Sequence, residues 1–111
     1  MEVRRARDDE LCGRVEEREG EWCALTVVGA VLGRHGVRQD AVDQVLTEGL
    51  ACLSERWTLR RGDSGDEGVV CIQEANPAAV TVALGYYSLP GVPTLTITAA
   101  QLSSGEWELE R

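Results

Sequence analysis

The chain has 111 residues, 43% hydrophobic and 27% charged, with a formal net charge of −8 and arginine as its only strong base. That length fits one domain and buries about two thirds of its unfolded surface, enough for a core without a metal or disulfide. The acidic excess works against DNA, RNA and anionic membranes, whose phosphates need a basic patch, and the lack of lysine removes Schiff-base and lysine general-base chemistry.

Residues 1–20 are dense in charge and poor in apolar side chains. A short helix starting at Asp8 or Asp9 would put Leu11, Cys12 and Val15 on one side and pair Glu10 with Arg14 at i,i+4. A frayed tail competes with it over at least residues 1–7. The segment has no apolar h-region, and five acids fall in its first sixteen positions, so neither a signal peptide nor a transit peptide is expected.

Residues 21–34 place Trp22, Leu25, Val28 and Leu32 on one helical stripe, widened by Val27 and Val31. The spacing predicts a buried helix in which Gly29 and Gly33 permit close packing and after which Gly36 acts as the stop. The run Leu25-Thr26-Val27-Val28 also suits a strand. A second helix over 41–56 is predicted with Asp40 as N-cap. Its apolar face comprises Val42, Val45, Leu46, Leu50 and Leu53, which sets Leu46 and Leu50 in the helix–sheet core.

Beyond residue 56 the pattern changes to period two. Trp57 and Leu59 flank Thr58, and Val70 and Ile72 flank Cys71. Val80, Val82 and Leu84 alternate with Thr81 and Ala83, Leu95 and Ile97 with threonines, and Trp107 and Leu109 with glutamates. Five alternating segments separated by turn residues predict an antiparallel sheet with one buried face. The last segment also suits a terminal helical turn. The expected fold is therefore a single α+β domain over 1–111. It is a two-layer sandwich with an N-terminal helical hairpin (21–56) on one face of a four- to five-stranded, mainly antiparallel sheet (57–110).

Several strings carry possible chemistry. Gly62-Asp63-Ser64-Gly65 matches the sequence around trypsin-like nucleophilic serines, but that class needs a larger double barrel and an acid-oriented histidine. Arg61-Gly62-Asp63 is an adhesion tripeptide only outside cells, and the acids at 63–67 lack the alternation of a calcium loop. A solvated hairpin loop explains the stretch. His35, the single histidine, suits a helix C-cap, and no carboxylate can be assigned to orient it for acid–base work. Cys12, Cys23, Cys52 and Cys71 contain no CxxC and read as reduced, mostly buried thiols.

Residues 31–46 resemble the centre of a helix-turn-helix, with Gly36-Val37 as the turn and Val42, Val45 and Leu46 inward. The would-be recognition helix carries Asp40, Asp43 and Glu48, which would face phosphates, so a plain helical hairpin is expected. Residues 44–109 loosely resemble an RWD domain: a helix, antiparallel strands, then a Pro-rich turn carried by Tyr87, Pro90 and Pro93. The turn spacing departs from that family and its closing helices are missing. The resemblance implies a protein-binding scaffold.

The functional expectation is a small acidic, non-enzymatic interaction module: an adaptor, an inhibitor or immunity-type partner, or a subunit of a complex. It would act in the cytoplasm without cofactor or metal. Docking would use the low-charge sheet face of Thr81, Thr94, Thr96 and Thr98, or the acids Asp63, Asp66 and Glu67. The partner would be a protein, with a basic surface favoured, or a second copy of the chain; nucleic acid and membrane are not expected. The alternative is a ligand-binding or catalytic domain with its site at a subunit interface, which a pocket holding Cys23, His35 or the 63–67 acids would favour. The cysteine spacing generates one prediction: the thermal midpoint should not move with chelator or reductant. A large drop with either reagent would contradict it.

Overall fold

The computed structural model describes residues 1–65, 67–84 and 91–111. The chain is mostly β, and the N-terminal helical hairpin is absent. Residues 1–35 instead form four strands: β1 (Glu2–Arg4), β2 (Leu11–Arg18), β3 (Glu21–Leu25) and β4 (Val31–His35). They pair as an antiparallel meander in the order β1-β2-β3-β4. The expected α+β two-layer sandwich is thus replaced by two antiparallel sheets of four and five strands.

The physical reason lies in residues 21–34. Cys23, Ala24 and Leu25 are all fully buried. A strand covered on both faces has no polar positions to reveal period two, so its apolar residues coincide with a helical stripe. Gly29 permits no helix packing; it adopts φ +100 in the turn between β3 and β4, a conformation costly for any residue with a Cβ. Residues 1–20 were misleading for the opposite cause. Their charges lie outward on β2, and only Cys12, Gly13 and Val15 are buried there.

α1 (Arg38–Glu48) lies across the first sheet and touches all four strands. It starts before the predicted position. Val37 is the N-cap and makes no side-chain cap bond, while Asp40 sits in the first turn, where its charge favours the positive helix end. The buried stripe consists of small residues: Ala41, Val45 and, at the C-cap, Gly49. A Cβ at Gly49 would collide with the Cys12 carbonyl of β2, so glycine sets how closely the chain approaches the sheet. Leu46 does not lie in the core; it is 42% exposed. Leu50 is half-buried against Val3, Cys12, Val15, Ala24, Ala41 and Val45. Large apolar side chains thus misplaced the stripe, because close packing selects small ones.

A 3-10 turn (Ala51–Ser54) leads into the second sheet: β5 (Arg56–Arg61), β6 (Glu67–Ala75), β7 (Ala79–Leu84), β8 (Thr94–Thr98) and β9 (Trp107–Glu110). The five alternating segments are these five strands. Their order is β8-β7-β6-β5-β9, so the last strand returns to the far edge beside β5. α2 (Ala99–Ser104), which sequence periodicity does not reveal, makes that crossing. It is opened by a capping box in which the Thr98 side chain accepts from Gln101 N and Gln101 accepts from Thr98 N. Trp57, 1% exposed, anchors this sheet, and its indole Nε1 donates to the Cys52 carbonyl at 2.9 Å.

The halves meet through the β3–β4 turn. Val28 and Ala30 belong to the second sheet's core, with Trp57, Val80, Val82 and Ile97. Leu32 packs against both cores. At the far end Arg111 ties the last strand back, reaching Glu48 of α1 at 2.8 Å and the Leu32 carbonyl at 3.4 Å. That contact holds the Glu48 carboxyl below its ordinary range. No helix among the described residues is long and apolar enough to cross a membrane.

The packing of α1 generates a paired prediction. Val45→Ala should cost about 2 kcal/mol in denaturant melts, since it empties a fully buried site, while Leu46→Ala should stay within about 0.5 kcal/mol. The reverse ranking would refute the helix placement.

Candidate functional site

Alternation in β5–β9 divides the second sheet into a core face and an open face. By register this second face carries Thr58 and Arg60 on β5, the half-buried Cys71 on β6, Thr81 and the fully buried Ala83 on β7, and Thr94 and Thr96 on β8. No described helix covers it: α1 packs on the first sheet, and α2 turns Ala99 and Leu102 to the core side.

The threonines end β8 and its neighbour in a low-charge strip. Thr81 and Thr96 are register partners whose hydroxyls lie 3.0 Å apart. This cross-strand bond restrains both hydroxyls within a low-charge surface. Thr94 and Thr96 are exposed, and Thr81 is half-buried. Thr98 shares the face, but its hydroxyl is committed to capping α2.

The opposite end is acidic. Arg60 binds three carboxylates at once: Glu67 at 3.1 Å, Glu108 at 3.0 Å and Glu110 at 3.3 Å. One guanidinium cannot neutralise three carboxylates, so the corner stays negative. Across the whole face, Glu67, Glu74, Glu108 and Glu110 stand against Arg56 and Arg60. The structure therefore brings Glu67 into the sheet with two glutamates that sequence reasoning missed. Their alternation with Trp107 and Leu109 was visible, but only the pairing of β9 with β5 sets them beside Arg60. Asp63 lies apart in an exposed turn, paired with Arg61 at 3.2 Å, and Asp66 lies outside the described residues.

The residues considered for chemistry have structural roles. His35 ends β4 rather than a helix, so the C-cap reading is corrected. Its Nε2 meets Gln44 Oε1 of α1 at 2.7 Å, and the Gln44 amide donates to the Leu32 carbonyl at 3.3 Å. Since the amide oxygen accepts there, Nε2 carries the proton, and the ring works as a tie between strand and helix. Cys12, Cys23 and Cys52 are buried, and Cys71 is half-buried on the open face. Burial pushes the Cys52 thiol up to about 11, which makes it a poor nucleophile at neutral pH. Among the described residues, no group of His, Cys, Asp and Glu side chains is gathered to hold a metal ion.

Residues 31–35 form a strand, which removes the helix-turn-helix resemblance together with the helical hairpin. Tyr87 and Pro90, which carry the RWD resemblance, lie outside the described residues. Comparison of the chain with protein-family models, curated proteins and solved structures finds no match in any of the three.

The thiol placement is checked by counting. One cysteine per chain, Cys71, should react with a disulfide reagent in the native state and four after denaturation. Two or more fast native thiols would contradict the burial of Cys12, Cys23 and Cys52.

Proposed function

We propose that the protein is a non-enzymatic interaction module that docks a protein with a basic surface on the open face of its second sheet. The observation that carries this reading is the face itself: a threonine strip bonded through Thr81 and Thr96 at one end and an acidic corner around Arg60 at the other. The strip supplies area that desolvates cheaply, and the corner supplies charge that steers a basic partner. The chain's −8 charge adds to that steering. The reading needs no catalytic group, in keeping with the structural roles of His35 and the buried cysteines. It assigns the protein to the cytoplasm, where free thiols stay reduced.

The decisive variant is Thr96→Arg. The residue is exposed, so the fold should survive, but a desolvated, unpaired charge at an interface costs several kcal/mol. Captured protein partners should be lost, and reversing Asp63, Asp66 and Glu67 should slow association and flatten its salt dependence. A variant that captures the same proteins as wild type, or a wild-type chain that sediments as a monomer and captures none, contradicts the proposal.

A further inference from the structure

The face of the first sheet opposite α1 carries three arginines interleaved with Glu2, Glu16 and Glu21. Arg14 and Arg18 project from β2, and Arg34 lies two strands away on β4 in register with Glu16 through Cys23. The three arginines line a cleft of ≈820 Å³ between the first sheet and the α2–β9 edge of the second. Its other wall includes Val28, Ala30, Leu102, Trp107 and Leu109. Three guanidiniums and three carboxylates, Glu16, Glu108 and Glu110, thus share the lining with an apolar patch, within a volume typical of small-molecule sites, roughly 300–1,000 Å³.

The charges inside are incompletely matched. Glu16 is shared, 2.9 Å from Arg18 and 3.6 Å from Arg14. Glu108 and Glu110 also line the cleft and share Arg60 with Glu67. Arg34 has no ion-pair partner among the described residues. Arg14 Nε is buried and has no hydrogen-bond partner, alone among the described buried side-chain polar atoms. Only Nε is buried, the Arg14 side chain as a whole being 40% exposed, and a buried donor without an acceptor costs stability. His35 and the four cysteines lie outside the lining, so the cleft has the equipment of binding rather than of nucleophilic or acid–base chemistry.

We propose that this cleft binds a small molecule with an oxyanion head, phosphate monoester or carboxylate, and an apolar body. The planar forks of Arg14 and Arg34 match such oxygens, and Trp107 with Leu102 covers the body. The site shares Glu108 and Glu110 with the sheet face assigned to a protein partner, but its arginines lie outside that face, so either can fail without the other.

The test titrates the full chain at low salt with phenyl phosphate, benzoate and uncharged benzyl alcohol, followed by calorimetry and by amide chemical shifts. At least one anion should bind about tenfold or more tighter than benzyl alcohol, and should shift amides of 28–31 and 99–109. The tighter anion identifies the head group, and inorganic phosphate should bind more weakly than phenyl phosphate. Arg34→Gln, an unpaired surface position that should leave the fold intact, should weaken the anion about tenfold; Arg18→Gln provides a second such variant. The proposal is overturned if neither anion binds better than benzyl alcohol, or if both variants bind as wild type does. Inorganic phosphate binding as tightly as phenyl phosphate would overturn the apolar body.

Discussion

Thr26 is 1% exposed and closes the turn on which both sheets depend. Its hydroxyl accepts the Ala30 N–H at 3.0 Å, its own N–H donates to the Ala30 carbonyl at 2.8 Å, and its carbonyl accepts Gly29 N–H at 3.0 Å. A buried turn is tolerable only when its backbone groups are satisfied internally. Thr26 supplies that satisfaction, and so the turn can enter the second sheet's core with Val28 and Ala30. The same residues form the floor of the arginine cleft. One five-residue turn thus joins the two cores and shapes the concavity between them.

The period-two reading of residues 57–110 was legible because the second sheet has one wet face. Thr58, Thr81 and Thr96 mark that face, and Trp57, Val82 and Ile97 mark the dry one. The first sheet was not legible, for the same physical reason inverted. α1 covers one face and the joint between the sheets covers part of the other, so Cys23, Ala24 and Leu25 are all buried and carry no alternation. Local sequence reasoning assumes that each element has a solvent side. Where tertiary structure removes it, helix and strand become indistinguishable over an apolar run. The helix α1 was visible, but its buried side was not. Large apolar residues suggested Leu46, whereas the close approach at Gly49 selects Ala41 and Val45.

The candidate surface shows a similar division. Thr81 and Thr96 were predicted to share an outward face, and their bond follows from register. The acidic corner needed strand order, since Arg60 and Glu110 are 50 residues apart. The arginine cleft needed more still, because it lies between two sheets whose existence was not expected. Arg14 and Arg18 read as ordinary surface charges in a charge-rich segment until the apolar wall opposite them is in place. The open face of the second sheet carries an excess of carboxylates, whereas the cleft lining sets Arg14, Arg18 and Arg34 against Glu16, Glu108 and Glu110.

The central claim is that the 26–30 turn locks the two sheets into one cooperative unit. Native-state amide hydrogen exchange tests it most directly. The amides of Thr26, Gly29 and Ala30 should exchange only through global unfolding, with the same free energy and denaturant dependence as the core strands β3 and β7. Exchange of the Ala30 amide by local opening, while those strands stay protected, would contradict the account.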